Sequence, residues 1–256
     1  MDRGYELTHD KRLAIGGFAQ GESYNAARPR YPEEALDYFV TSMGLDEHSH
    51  VLDLGAGTGI FTRQMLPRVG RITAVEPSAS MRATFARETP GTEILEGNDS
   101  AIPVEDKAVS AVFVAQAFHW FDPPRALPEI HRVLKVGGGL GLIWNERDTG
   151  VDWIRKLNKA MLWDVRQPYD ANIDFGAIVA AGPFDDVHKS VFHHSELLTH
   201  RQLCDRVLTT SYITLLDEEN RATLMAEVAS VLAALSDPVE VPYVTNVYVA
   251  FARDNE

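Results

Sequence analysis

The chain has 256 residues, 45% of them hydrophobic, enough to build the core of one large α/β domain with smaller elements inserted in it. Its 24 Lys and Arg against 37 Asp and Glu give a formal charge of -13, which argues against electrostatic capture of nucleic acid and favours small or neutral partners. The single cysteine, Cys204, excludes an internal disulfide and a cysteine-based metal cluster; with no signal-like leader and no apolar run of spanning length, it predicts a cytoplasmic protein that does not enter membranes.

After a polar leader, Tyr31-Pro32-Glu33-Glu34 places a proline and two acids where a first helical turn favours them. The apolar run 51–54 predicts a strand, the glycine turn after it leads into a helix ending near Pro67, and Arg71 to Val75 reads as a second strand. A helix over Met81 to Glu88 and strands over Thr92 to Leu95 and Ala111 to Ala115 continue the alternation. The next helix, Pro124 to Lys135, carries Ala126, Leu127, Ile130, Val133 and Leu134 on one stripe and is expected to stop at Gly137-Gly138-Gly139, before a strand over Leu140 to Trp144. Beyond Asp148 the pattern predicts a helix over Trp153 to Val165, a strand over Val187 to Leu197, helices over Arg201 to Ile213 and Glu218 to Leu235, and an edge strand over Val239 to Phe251. Strands alternating with helices at this spacing predict a doubly wound, Rossmann-like α/β fold, with ligands at the carboxyl edge of the strands. Gly55, Glu76, Asn98, Gln116 and Asn145 all fall just beyond strand ends.

The most informative segment is Val-Leu-Asp-Leu-Gly-Ala-Gly-Thr-Gly, residues 51–59. Glycines at alternate positions let backbone N–H groups and a following helix approach an anion closely. A dinucleotide fingerprint would put a third glycine at position 60, where Ile60 stands, and would not need an acid at Asp53. An acid beside an anion-binding turn suits a zwitterion. S-adenosylmethionine offers an ammonium for Asp53, a carboxylate for the turn amides and a sulfonium cation. Glu76, closing the second apolar run, can accept hydrogen bonds from both ribose hydroxyls of an adenosine.

With Ala-Val-Glu-Pro-Ser (74–78), Ala-Gln-Ala-Phe-His-Trp-Phe-Asp (115–122), Gly-Gly-Gly-Leu-Gly-Leu-Ile-Trp-Asn (137–145) and Tyr-Asn-Ala-Ala-Arg-Pro-Arg-Tyr-Pro (24–32), the chain resembles the class I S-adenosylmethionine-dependent methyltransferases, specifically the small-molecule group typified by trans-aconitate methyltransferase. The resemblance covers about residues 18 to 148 and implies a seven-stranded, mostly parallel sheet with helical cap elements. It divides a single domain into a lid (1–31), a cofactor-binding core (32–148), an acceptor-side cap with strand six (149–235) and a final strand (236–256). Carried over residue by residue, it assigns Tyr24, Arg28, Asp53, Gly55, Gly57, Thr58, Glu76, Pro77, Asn98, Asp99, Ala115 and Gln116 to the cofactor. Asn98 stands where the family usually has an aspartate for the adenine amino group, which leaves Asn98, Asp99 or simple turn capping open. Arg28 suits a carboxylate of the cofactor or of an acidic acceptor, or a surface role.

His119, on the loop after the fourth strand, reads as a general base, a donor to the acceptor or a packed histidine. Trp120, Trp144 and Tyr212 are acceptor-pocket candidates, as are Trp153, Trp163 and Tyr169, all equally readable as core aromatics. His188, His193, His194 and His200 lack a metal-binding spacing, and His193 and His194 would face opposite sides of a strand, so no metal is expected. The expected activity is methylation of a small molecule by S-adenosylmethionine, giving S-adenosylhomocysteine, with O-methylation of a carboxylate or hydroxyl favoured. Methylation of a protein, nitrogen or carbon acceptor, and a cofactor-binding module without catalysis, are the rivals. A monomer and a homodimer both fit.

Overall fold

The computed structural model describes residues 28–161 and 174–253. They build a seven-stranded sheet of order β3-β2-β1-β4-β5-β7-β6. The strands are β1 (His50–Leu54), β2 (Arg71–Val75), β3 (Glu93–Leu95), β4 (Val109–Ala115), β5 (Leu134–Arg147), β6 (His188–Leu198) and β7 (Val239–Phe251). The helices are α1 (Glu33–Met43), α2 (Ile60–Met65), α3 (Ala79–Glu88), α4 (Pro123–Val133), α5 (Asp152–Ala160), α6 (Phe175–Ala180), α7 (His200–Leu208), α8 (Ser211–Thr214) and α9 (Glu218–Leu232). Among the described residues no helix is long and apolar enough to cross a membrane.

β1 lies between β2 and β4 in parallel pairing, with Leu54 opposite Val75 and Asp53 opposite Phe113, and β4 pairs with β5 so that Ala115 faces Ile143. This register brings Gly55, Glu76, Gln116 and Asn145 to one carboxyl edge, where an open parallel sheet places its ligands. β1 and β4 are buried almost throughout, so their sequences read as continuous apolar runs.

The chain clusters into two compact units. One comprises, of the described residues, 30–145, 174–192 and 245–253; its core joins Leu36 and Phe39 of α1 to Phe61, Met65, Phe113 and Val247. The rings of Phe39 and Phe113 lie 4.9 Å apart and those of Phe61 and Phe113 5.2 Å apart. The other comprises, of the described residues, 28–29, 146–161 and 193–244, with a helical core of Ile154, Leu157, Leu203, Val207, Val228 and Leu232.

Three element readings change. β5 begins at Leu134 and runs through the glycine triplet, because the ladder slips between Val109 opposite Leu134 and Ala111 opposite Gly139. Arg201 to Ile213 is two helices, broken between Leu208 and Ser211. β7 has the expected bounds but lies between β5 and β6, so β6 is the edge strand.

Candidate active site

The turn after β1 holds Gly55, Gly57 and Gly59 at φ of 75°, 55° and 83°, a region other residues enter only at a cost. Space matters as well at Gly55, where a Cβ would lie 2.9 Å from the Cβ of Ala117, so the turns after β1 and β4 are in contact. The turn's amides are largely used to fold it: Gly55 and Ala56 donate to the Val75 carbonyl at 2.8 and 3.1 Å, and Gly59 to Ala56 at 2.9 Å. Gly57 donates to Glu76 Oε2 at 3.0 Å. A ligand carboxylate would share these donors with the protein. Thr58 is buried, and its carbonyl accepts from Arg63 at 2.7 Å.

Asp53 is 1% exposed. Its Oδ2 accepts the hydroxyl of Thr62, while no donor among the described residues reaches the buried Oδ1. Burial pushes its carboxyl up to about 7, against the Thr62 hydrogen bond and with help from the charge of Glu76. An unanswered buried carboxylate oxygen is costly unless a ligand supplies the donor, and an ammonium is the strongest such donor. Glu76 Oε1 accepts from the Ser78 amide at 2.8 Å, so this carboxylate fastens the β1 turn to the β2 turn. Burial raises the Glu76 pKa, opposed by those two amides. Two of its four lone-pair positions stay available for a diol.

Next along the edge, Asn98 is exposed and its Oδ1 accepts from both the amide and the hydroxyl of Ser100, at 3.0 and 2.9 Å. Asp99 is half-buried, accepts from the Asp122 amide at 2.8 Å, and is raised in pKa by burial. Pro77 is exposed, its carbonyl held by Arg82 at 2.7 Å.

Ala115, half-buried, ends β4, and Gln116 follows at φ 55°, a left-handed conformation unusual for a residue with a side chain. Gln116 Nε2 donates to the Asn145 carbonyl at 3.1 Å, and its buried Oε1 has no donor among the described residues. Asn145 in turn donates to Arg30 O at 2.9 Å and accepts from Thr245 at 2.6 Å. Gln64 holds Tyr31 through both its amide and its carbonyl, at 3.0 and 2.8 Å. A single helical turn, Phe118–Trp120, sets the rings of His119 and Trp120 4.7 Å apart, both half-buried. Trp144 is buried and stacks on Phe175 at 4.1 Å, with Tyr248 edge-on.

In the other unit, Arg28 donates to Thr209 O at 3.2 Å and Tyr212 to Met161 O at 2.7 Å. Tyr24, Trp163 and Tyr169 lie outside the described residues. No group of metal ligands occurs among the described residues, and on β6 His193 is exposed while His194 is half-buried. Sequence reasoning missed Thr62, whose hydroxyl holds Asp53; its place nine residues on, one turn into a helix beginning at a glycine N-cap, was the available signal.

A glycine turn, an acid at the end of β1, a second acid at the end of β2 and a strained turn after β4, on this sheet order, define the class I S-adenosylmethionine-dependent methyltransferases. The comparisons agree. The methyltransferase domain family matches residues 52–142. An uncharacterized methyltransferase of Mycobacterium tuberculosis is 36% identical over 241 residues, covering 92% of this chain and 94% of that protein. A malonyl-[acyl-carrier protein] O-methyltransferase of Pectobacterium atrosepticum is 36% identical over 89 residues, 34% of this chain and 35% of that one. The structure of a putative type II methyltransferase from Anaeromyxobacter dehalogenans shares the fold, with a TM-score of 0.68 at 22% identity over 88% of this chain and 97% of that one. The chain belongs to the S-adenosylmethionine-dependent methyltransferases.

Proposed function

We propose that this enzyme methylates an oxygen, carboxylate or hydroxyl, of a small molecule in the cytoplasm, as the trans-aconitate group does. The observation that carries the reading is the turn after β4, where a strained Gln116 leads into the paired rings of His119 and Trp120. The single cysteine supports the location, and the named O-methyltransferase sharing a third of the chain supports oxygen.

S-adenosylmethionine, when bound, supplies a methyl group on a sulfonium. Asp53 would hold its ammonium, Glu76 its ribose hydroxyls, and Asn98 or Asp99 its adenine amino group. The Trp120 ring is the aromatic face on this turn that would attract the sulfonium. The protein's main task is to align acceptor oxygen, methyl and sulfur while excluding water, an orientation worth about 7–11 kcal/mol. An ionised carboxylate reacts without help. A hydroxyl must lose its proton, and His119 is the residue on this turn that can take it.

The pH–rate profile of wild type and His119→Ala tests these roles. A hydroxyl acceptor gives a rate that rises with pH, that dependence lost together with about 10²–10⁴-fold of rate in the variant. A carboxylate acceptor gives a small loss and an unchanged profile. Full activity in the variant on a hydroxyl acceptor would remove His119 from the chemistry.

A further inference from the structure

Thr62, near the start of α2, is fully buried, and its hydroxyl donates to Asp53 Oδ2. Packing fixes its place. Phe61 and Met65 of the same helix lie in the core with Phe39 and Phe113, and Gly59, just before the helix, is so tightly placed that a Cβ would lie 2.7 Å from the Phe85 ring. The Arg63 amide closes the first turn on the Gly59 carbonyl at 2.9 Å. A hydroxyl carried on so fixed a helix meets the carboxylate in one geometry.

The two oxygens of Asp53 therefore differ. Oδ2 has its donor, while Oδ1, also buried, has none among the described residues. On the strands flanking β1, Asp53 lies opposite Ala74 and Phe113, which carry no charge, and Glu76 at the end of β2 is the charged group that acts on it. No cation among the described residues answers Asp53; the Thr62 hydroxyl is what opposes the effect of burial most, with the Thr62 amide in support. Which form the carboxyl takes matters to a cationic ligand. A carboxyl that kept its proton would have an O–H to donate, and an ammonium has no lone pair to receive it.

We propose that Thr62 is a positioning residue of the cofactor site: by occupying Oδ2, its hydroxyl keeps the Asp53 carboxylate ionised and turned so that Oδ1 takes the ammonium of S-adenosylmethionine. The proposal rests on the reading of Asp53 as the partner of that ammonium, and it assigns the residue that makes Asp53 fit for the task. In this role Thr62 touches no part of the cofactor and acts through Asp53 alone.

Calorimetric titration of the full chain between about pH 5 and 8 tests this, with S-adenosylhomocysteine and its deaminated analogue as ligands. Thr62→Val keeps the shape and removes the hydroxyl. It should weaken S-adenosylhomocysteine about 10–100-fold at neutral pH and move the rise of affinity up by about one to two pH units. Thr62→Ser, which keeps the hydroxyl, should restore both the affinity and its pH range. The deaminated analogue should bind wild type and Thr62→Val alike, because a ligand without an ammonium makes no use of Oδ1. Should Thr62→Val not fold, Thr62→Ala, which is smaller than the residue it replaces, carries the same expectations. Equal affinity of wild type and variant at every pH, a loss that the deaminated analogue shares, or a loss that Thr62→Ser fails to repair would overturn the positioning role. An analogue that binds wild type as tightly as S-adenosylhomocysteine does would show that no ammonium is recognised; the reading of Asp53 would then fall, and that of Thr62 with it, while methyl transfer to a small acceptor would stand.

Discussion

Asp53 shows how far one buried atom directs chemistry. Its carboxyl, raised to about 7 mainly by burial, keeps its proton in the folded protein at pH values where an unfolded aspartate, near ~3.9, has lost it. The folded state therefore binds the extra proton, and the stability gained is complete below about 4 and lost as pH rises to about 7. A ligand ammonium demands the ionised form. Cofactor affinity should consequently rise over that window, and binding near pH ~6 should release about one proton from Asp53. Calorimetry in buffers of different ionisation enthalpy measures the release; Asp53→Asn should abolish it, and an equal release in the variant would assign the proton elsewhere. Asp53→Ala and Glu76→Ala should each weaken S-adenosylhomocysteine about 10–100-fold, the loss of a contact to a charged group worth ~1.5–3 kcal/mol. Glu76→Ala should also loosen the turn itself, because Gly57 and Ser78 lose their acceptor.

At the scale of elements, β5 separates what the chain spells out from what it conceals. Its glycine triplet reads as a helix stop, yet it lies inside a strand, with Gly137 at a φ of 70° and Gly139 so close to Met43 that a Cβ would lie 2.8 Å from its sulfur; further along, a Cβ at Gly141 would come within 2.7 Å of the Phe113 ring and 2.8 Å of Phe39. Gly141→Ala should accordingly cost about 1–3 kcal/mol by overpacking, read as a lower urea midpoint with unchanged slope. A neutral result would mean that the two rings yield freely. β1, β2 and the turn between β1 and α2 were legible because period, glycines and acids coincide in one short segment. The position of β7 was not: alternating burial marks a half-buried strand, but nothing local says which strands flank it. The six-residue helix α6 escaped as too short for a period, although Asp174, whose side chain caps the Ala177 amide, marks its start.

Across the whole molecule, Asp53, Glu76 and Gln116 belong to one compact unit and Arg28 and Tyr212 to the other, each unit with its own buried cluster. Ligand binding should stabilise the chain by mass action: S-adenosylhomocysteine at about 100 times its Kd adds about 2.7 kcal/mol, a rise of about 5–10 °C in Tm for a protein of this size. NAD at the same concentration should add nothing, because Ile60 and Asp53 oppose a pyrophosphate. The central claim, methyl transfer from S-adenosylmethionine to a small acceptor, is met most directly by incubating the protein with methyl-labelled cofactor and a metabolite extract freed of macromolecules. The expected result is acceptor-dependent formation of S-adenosylhomocysteine and of one labelled small product heavier by a methyl group, both lost in Asp53→Ala. Label entering only protein, or no turnover with any small-molecule fraction by an enzyme that binds the cofactor, would contradict it.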